Sequence, residues 1–214
     1  MRILKPHFRF RKFPDGNEIL YSIADAAHEA YQSESKTPDA DFVKSLITRG
    51  HESCLEHETI SVEVWCDRGV SHEVVRHRIA SYTQESTRYC NYSKGKFGGS
   101  VSYIDLRGGM ARDKAVSKLP AEVQDAIYGV WVCACDDAEK HYMRMLELGA
   151  TPQIARSVLN HSTKTAIVMT MNIREWRHFF RLRCAPDAHP QMREVACMML
   201  EHFKASIPVI FDDI

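Results

Sequence analysis

A chain of 214 residues, 44% of them hydrophobic, can bury the core of one domain. Its 28 lysines and arginines balance 28 aspartates and glutamates, so no global charge favours a polyanion such as DNA or an acidic membrane surface. No apolar run is long enough to span a bilayer, the basic start MRILKPHFRFRKF lacks the apolar core of a signal peptide, and the seven cysteines form no regular framework, so the expectation is a cytoplasmic protein with reduced thiols.

Residues 16–33 are predicted helical, because Ile19, Ile23, Ala26, Ala27 and Ala30 recur at helical spacing. Thr37, as a cap, and Pro38, at the first helical position, precede a second helix that ends near Gly50. TISVEVW, Thr59 to Trp65, alternates like a strand. Gly69 to Arg78 suits a short helix, and residues 89–100, with three glycines, suit a mobile loop that acts as a lid. VSYID, Val101 to Asp105, suits a strand. Ala121 to Leu148 is a long helix whose stripe runs Ile127, Val130, Trp131, Ala134, Ala138, Tyr142 and Met145. Thr151-Pro152 starts a helix through about Leu159, KTAIVMTMN is a strand, and helices run through Leu182 and from about Pro190 to Ala205. Helices and strands mix without a βαβ rhythm or a linker, which favours a single α+β domain.

Three stretches carry chemistry. RHRIASYTQESTR, Arg76 to Arg88, gathers guanidinium forks with hydroxyl and amide groups. It reads either as a solvated polar loop or as a site for a flat anion such as a nucleotide or flavin. RGHESCLEHE begins like a zinc-protease motif, but His57 follows His51 by six positions instead of four, so the two do not share a helix face. Cys133 and Cys135 lack a second pair, and no metal is expected. In MNIREWRHFFRLR, Trp176, Phe179, Phe180 and Arg183 share one helical face with Asn172, while Arg174, His178 and Arg181 lie opposite. Arg183 either snorkels past that stripe or projects into a pocket floored by aromatics. The chain has no phosphate loop of the G-x-x-x-x-G-K-[ST] kind, no strand-following G-x-G-x-x-G and no G-x-S-x-G elbow.

Arg76-His77-Arg78, seven residues and then Ser86 resemble the R-H-R-x₇-S signature of the flavin-dependent thymidylate synthases. Gly50-His51-Glu52 with Glu56-His57, Asn172-x-Arg174, Leu182-Arg183 and His189-x-Gln191 resemble that family's other blocks, in the same order, across residues 15–205. The resemblance implies conversion of dUMP to dTMP. Methylenetetrahydrofolate gives the carbon, and FAD reduced by NADPH gives the hydride. It also implies the thymidylate synthase-complementing fold, a central, mostly antiparallel sheet flanked by helices, assembled as a homotetramer with active sites between subunits.

The same resemblance assigns FAD contacts to His51, Ser53, Arg76, His77, Arg78, Gln84, Asn172, Ile173, Arg174 and His178. It assigns dUMP contacts to Glu73, Val74, Val75, Arg76, Gln84, Glu85, Ser86, Thr87, Arg88, Arg156 and Arg183. Ser86 and Arg88 are expected to grip the phosphate. Arg183 is the expected catalytic residue, its cation favouring the N3-deprotonated, electron-rich uracil. The family uses no cysteine nucleophile, so Cys90 and Cys184 are expected to be dispensable. Asn160 stands where a proline is common, which would loosen the turn after Arg156. The rival reading is an RNA or single-stranded DNA patch of Arg76, Arg78, Arg88, Arg174, Arg177 and Arg181, with Tyr82, Tyr89 and Tyr92 as stacking platforms. Zero net charge weighs against it, and neither nucleic acid nor a membrane is expected as a partner.

Overall fold

The alternating segments TISVEVW and KTAIVMTMN become the two central strands of the protein. The structure, a computed structural model, describes residues 1–11, 15–30, 32 and 37–214. Its strands are β1 (Arg2–Leu4), β2 (His7–Phe10), β3 (Thr59–Asp67), β4 (Ala80–Gln84), β5 (Ser102–Ile104) and β6 (Lys164–Asn172). Its helices are α1 (Gly16–Glu29), α2 (Asp39–Thr48), α3 (Arg68–Val74), α4 (Arg107–Arg112), α5 (Ala121–Glu147), α6 (Pro152–Ala155), α7 (Ile173–Arg183), α8 (Pro190–Ser206) and α9 (Pro208–Phe211). The predicted α1 reaches further, but residues 31 and 33 lie outside the described ones.

An antiparallel sheet runs in the order β2-β3-β6-β4, and β1 pairs in parallel with β5 beside it. This is the α+β arrangement expected from the sequence, with helices packed on the antiparallel sheet. Period-two patterning explains the layering. Ile60, Val62 and Val64 of β3 and Ile167, Met169 and Met171 of β6 point to one face and are buried. They meet Ile23 of α1, Leu46 of α2, Trp176 and Phe180 of α7 and Phe203 of α8. Each such side chain contributes about 1.5–3 kcal/mol of apolar burial. The opposite face carries Glu63, Trp65, Ala166 and Val168 at the wall of an open groove of about 650 Å³.

A smaller core gathers Tyr92, Val101, Tyr103, Cys135, Tyr142 and Ala155 under α5. This core touches two of the expected segments. Tyr92 is buried and its amide donates to the Tyr142 hydroxyl at 3.3 Å, so the glycine-rich segment is anchored at that aromatic. Of the expected α5 stripe, Trp131, Tyr142 and Met145 pack on this core together with Cys135, whereas Val130 is 72% exposed and Ala134 is also exposed.

Other boundaries shift for local reasons. β1, β2 and β4 were not expected: they are short and polar on one side, and pairing decides them. Pro38, not Thr37, takes the cap position of α2, and no side chain closes that cap. Gly50, at φ +75°, closes the same helix: its amide bonds the Ile47 carbonyl and the His51 amide bonds the Leu46 carbonyl, at 3.0 and 2.9 Å. The turn at Asn160 is tied, not loose. Its Oδ1 accepts from the Ser162 amide at 3.1 Å and its carbonyl accepts from the Thr163 hydroxyl at 2.8 Å. All seven cysteines are free thiols. Among the described residues no helix is long and apolar enough to cross a membrane.

Candidate active site

The turn after α3 and the far end of α7 build the most constrained polar cluster. Asp67 caps α3 by accepting from the Val70 amide at 2.7 Å, and its second oxygen accepts from Gln191 of α8 at 2.7 Å. The helix then stops: the His77 amide bonds the Val74 carbonyl at 3.2 Å. The Tyr82 hydroxyl clamps this turn by donating to the Val74 and His77 carbonyls at 2.9 and 2.7 Å. Burial pushes that hydroxyl's pKa up to about 12, so it remains a donor.

Arg183 ends the aromatic stripe of α7 and meets this turn. Its Nη1 donates to Glu73 Oε2 at 2.8 Å, its Nη2 to the Glu73 carbonyl at 3.0 Å, and its Nε to His77 Nε2 at 3.1 Å. The side chain keeps 14% of its surface open. On the other side of the ring, His77 Nδ1 lies 2.9 Å from Glu175 Oε1. His189 Nδ1 lies 3.4 Å from the free Glu73 oxygen. Arg76 and Arg78, from the same turn, are exposed, and neither guanidinium has a partner among the described residues. Val75 is exposed beside them, whereas Val74 is buried and its carbonyl is already bonded to Tyr82.

A second group forms where β4 ends. Arg88 Nε donates to Gln153 of α6 at 3.1 Å, and Arg156 Nη1 donates to Thr87 Oγ1 at 3.2 Å. The Arg88 amide bonds Ser86 Oγ at 3.3 Å. Two exposed guanidinium groups therefore flank the hydroxyls of Ser86 and Thr87, an arrangement that suits a phosphate dianion. Gln84 points inward and donates to Ser71 and Thr165 at 2.9 and 3.1 Å. Glu85 is held by Lys164 at 2.5 Å.

A third group lines a cleft of about 330 Å³, walled by Glu52, Glu56, Ile79, Asn172, Arg174, Glu175, His178 and Arg181. Asn172 caps α7 by accepting from the Glu175 amide at 2.8 Å, which leaves its amide nitrogen available. Arg174 is exposed and pairs with Glu56 at 2.5 Å, and the Ile173 side chain is buried. His51 and Ser53 line a separate recess of about 330 Å³ with Ala27, Leu46 and Cys54.

The sequence-predicted residues thus meet in groups. Glu73, His77 and Arg183 come together, as do Ser86, Thr87, Arg88 and Arg156, and as do Asn172, Arg174 and His178. Neither the groove on the sheet nor the cleft nor the recess at His51 collects them all. Sequence reasoning missed Glu175, Gln153 and the role of Asp67. A glutamate next to Trp176 within an apolar stripe was the available signal for Glu175, since a buried carboxylate needs a partner. His77, Glu175 and His178 each present a ligand atom within 4.8 Å of the others, but both His77 nitrogens are engaged and the Arg183 cation adjoins them.

The nucleic-acid patch does not assemble. Arg177 is fully buried, Tyr92 is buried, and the Tyr82 hydroxyl is spent inside the chain, so of the three tyrosines only Tyr89 stands open. The patch reading failed for Arg177 because Asp213 and the Ile210 carbonyl reach it from a distant part of the chain.

Comparison with known proteins agrees with this geometry. Residues 14–209 match the model of the family described as thymidylate synthase complementing protein. A flavin-dependent thymidylate synthase of Geobacter sulfurreducens is 35% identical over 174 residues, spanning 80% of this chain and 68% of that protein. One from Pyrococcus abyssi is 35% identical over 192 residues, spanning 85% and 73%. A solved structure of the UMP/dUMP methylase PolB from Streptomyces cacaoi, bound with 5-Br dUMP, superposes with a TM-score of 0.81 at 22% identity, covering 99% of this chain and 96% of that one. With the R-H-R-x₇-S turn, the capped α7 and this similarity on the page, the chain belongs to the flavin-dependent thymidylate synthase family.

Proposed function

We propose that the protein methylates dUMP to dTMP, with methylenetetrahydrofolate as carbon donor and a flavin, FAD, reduced by NADPH. The observation that carries this reading is Arg183. Its guanidinium is fixed on three sides by Glu73 and His77, yet it stays partly open, and the turn that carries His77 also carries the exposed Arg76 and Arg78, which have no partner among the described residues. A cation held this way stabilises negative charge on a uracil N3 and its carbonyl without reorganising when the charge forms. C5 of the ring then becomes the electron-rich carbon.

The side chains fit a flavin dinucleotide. Exposed Arg76, Arg78 and Arg174 offer forks for a pyrophosphate, and the Asn172 amide and the His178 ring offer donors for a ring edge. A bound flavin would supply the hydride. His51, Ser53, His77, Gln84 and Ile173 complete the proposed cofactor set. His77 contributes through Arg183, and Ile173 through its backbone, because both side chains are buried. For the nucleotide, Ser86, Thr87, Arg88 and Arg156 hold the phosphate, while Glu73, Val75, Gln84 and Glu85 shape the walls around it; Val74, fully buried, supports that turn from the core.

Asn172, Arg174 and His178 share one cleft, and His51 and Ser53 line another. The proposed assembly is a homotetramer in which neighbouring subunits bring the phosphate group and the Arg183 group together. An anaerobic visible spectrum tests the reading. NADPH should bleach added FAD, and dTMP should form only once dUMP and methylenetetrahydrofolate are both present. Failure to bind flavin would refute it. UMP offered in place of dUMP measures how far the sugar matters, since the structural neighbour is a UMP/dUMP methylase.

A further inference from the structure

We propose that Glu175 is a positioning residue for this reaction: it holds His77 in the Nδ1–H tautomer, so that Nε2 accepts from Arg183 and fixes the guanidinium. The inference rests on the reading of Arg183 given above and adds a residue that reading does not use.

The donor-only chemistry of arginine sets the tautomer. Arg183 is always protonated, so its Nε–H can only donate. It donates to His77 Nε2 at 3.1 Å, and that nitrogen must therefore carry a lone pair and no hydrogen. A neutral ring then has its one hydrogen on Nδ1. The acceptor there is Glu175 Oε1 at 2.9 Å. Glu175 and Arg183 stand at opposite ends of α7, and the imidazole bridges them.

Burial makes the bridge stiff. His77 is 4% exposed and Glu175 8% exposed. The ring packs edge-on against Phe179 at 4.9 Å, and its own carbonyl is clamped by Tyr82. The charged or titratable groups facing it are Glu73 from α3, Glu175, His178 and Arg183 from α7, and His189 beyond Glu73. Burial, with the charge of Arg183 adding to it, holds the ring neutral against the pull of Glu175. A second proton would place an Nε2–H against the Arg183 Nε–H, donor against donor. A Glu175→Gln side chain is isosteric but uncharged, and it offers Nδ1 either an amide donor or a carbonyl acceptor, so the tautomer is no longer fixed from that side. Glu175 reaches substrate only through His77 and Arg183, whereas a purely structural ion pair would set stability and nothing else.

The test uses full-length protein in two readouts. Ring ¹⁵N spectra of the unliganded wild type, with His77 assigned by His77→Gln, should show Nδ1 protonated and Nε2 bare at neutral pH. Glu175→Gln should lose that pattern and lower kcat for dTMP formation about 10- to 100-fold, the cost of a guanidinium displaced by roughly an ångström. Glu175→Asp, which keeps the acceptor, should recover part of kcat. A wild-type ring carrying its hydrogen on Nε2 overturns the proposal, whether or not Glu175→Gln folds. So does a folded Glu175→Gln that keeps kcat within about two-fold. Because the ring spectrum is read without ligands, the brace can fail while synthase activity stands, and absent dTMP formation can refute the synthase reading while the tautomer stands.

Discussion

Two arginines of α7, nearly two turns apart, do opposite work. Arg177 is fully buried: its Nη1 and Nη2 each lie 2.7 Å from an Asp213 oxygen, and its Nε lies 3.4 Å from Glu52. Its two terminal nitrogens tie α7 to the chain end at Ile210 and Asp213, and its Nε, buried without a hydrogen bond among the described residues, faces Glu52. Arg183 has comparable partners in Glu73 and His77, but the helix ends there, and part of its fork remains open to a ligand. The lesson is that pairing alone does not distinguish a structural charge from a working one. What distinguishes them is whether the partners enclose the charge or only aim it.

Arg183→Ala should break the comparison most sharply. It is expected to lower dTMP formation about 100- to 1,000-fold, the usual loss on removing one electrostatic stabiliser, while flavin binding persists. If instead it unfolds the protein and spares residual turnover per folded molecule, the two arginines do the same job. Asp213→Asn should act on the other side. It leaves a buried guanidinium with half its charge partner gone, and the expected cost is about 2–3 kcal/mol, the lower end for a broken buried pair because Asp213 faces water. Urea unfolding measures it, and kcat at low temperature should barely move.

Arg88→Ala sharpens the picture at the second group, where β4 ends. Losing a charge-assisted contact to phosphate should weaken dUMP binding about 10-fold, seen by calorimetry, with little change in stability. The pH dependence of stability separates the two regions more gently. Burial first, then Arg183, holds His77 below the ordinary histidine value of 6.5, against Glu175. The unfolded chain therefore takes up a proton that the folded chain resists. This contribution is complete above pH 6.5 and declines as pH falls below it. The hydrogen bond from Arg177 holds Asp213 below the usual aspartate value. Its contribution is complete above about pH 4 and is lost only as pH falls through the lowered value, so Asp213→Asn should remove the acid-side step alone. The smallest effect is expected at the thiols. Burial pushes the Cys184 thiol up, and such a group is a poor nucleophile. Cys90→Ala and Cys184→Ala should each keep activity within about two-fold with flavin bound.

Much of this molecule is written in short-range pattern. Period-two alternation marks β3 and β6, and the stripe of Trp176, Phe179 and Phe180 marks α7, because those signals come from burying one face against any partner. Gly50 marks the end of α2 because few other residues adopt its φ at low cost. The R-H-R-x₇-S spacing marks the family, and with it the residues at which to look. The pattern could not supply β4: ASYTQ becomes a strand only because β6 offers it an edge. Nor could it place Arg177 inside, since Asp213 lies 36 residues away in the chain. Glu175 and His77 are 98 residues apart and their bond exists only in the folded chain. The sequence by itself determined which groups carry charge and which faces are apolar, because those are properties of residues and their near neighbours. Tertiary structure decided which charges are enclosed, which are aimed and which histidine nitrogen is bare, because those depend on partners brought from far along the chain.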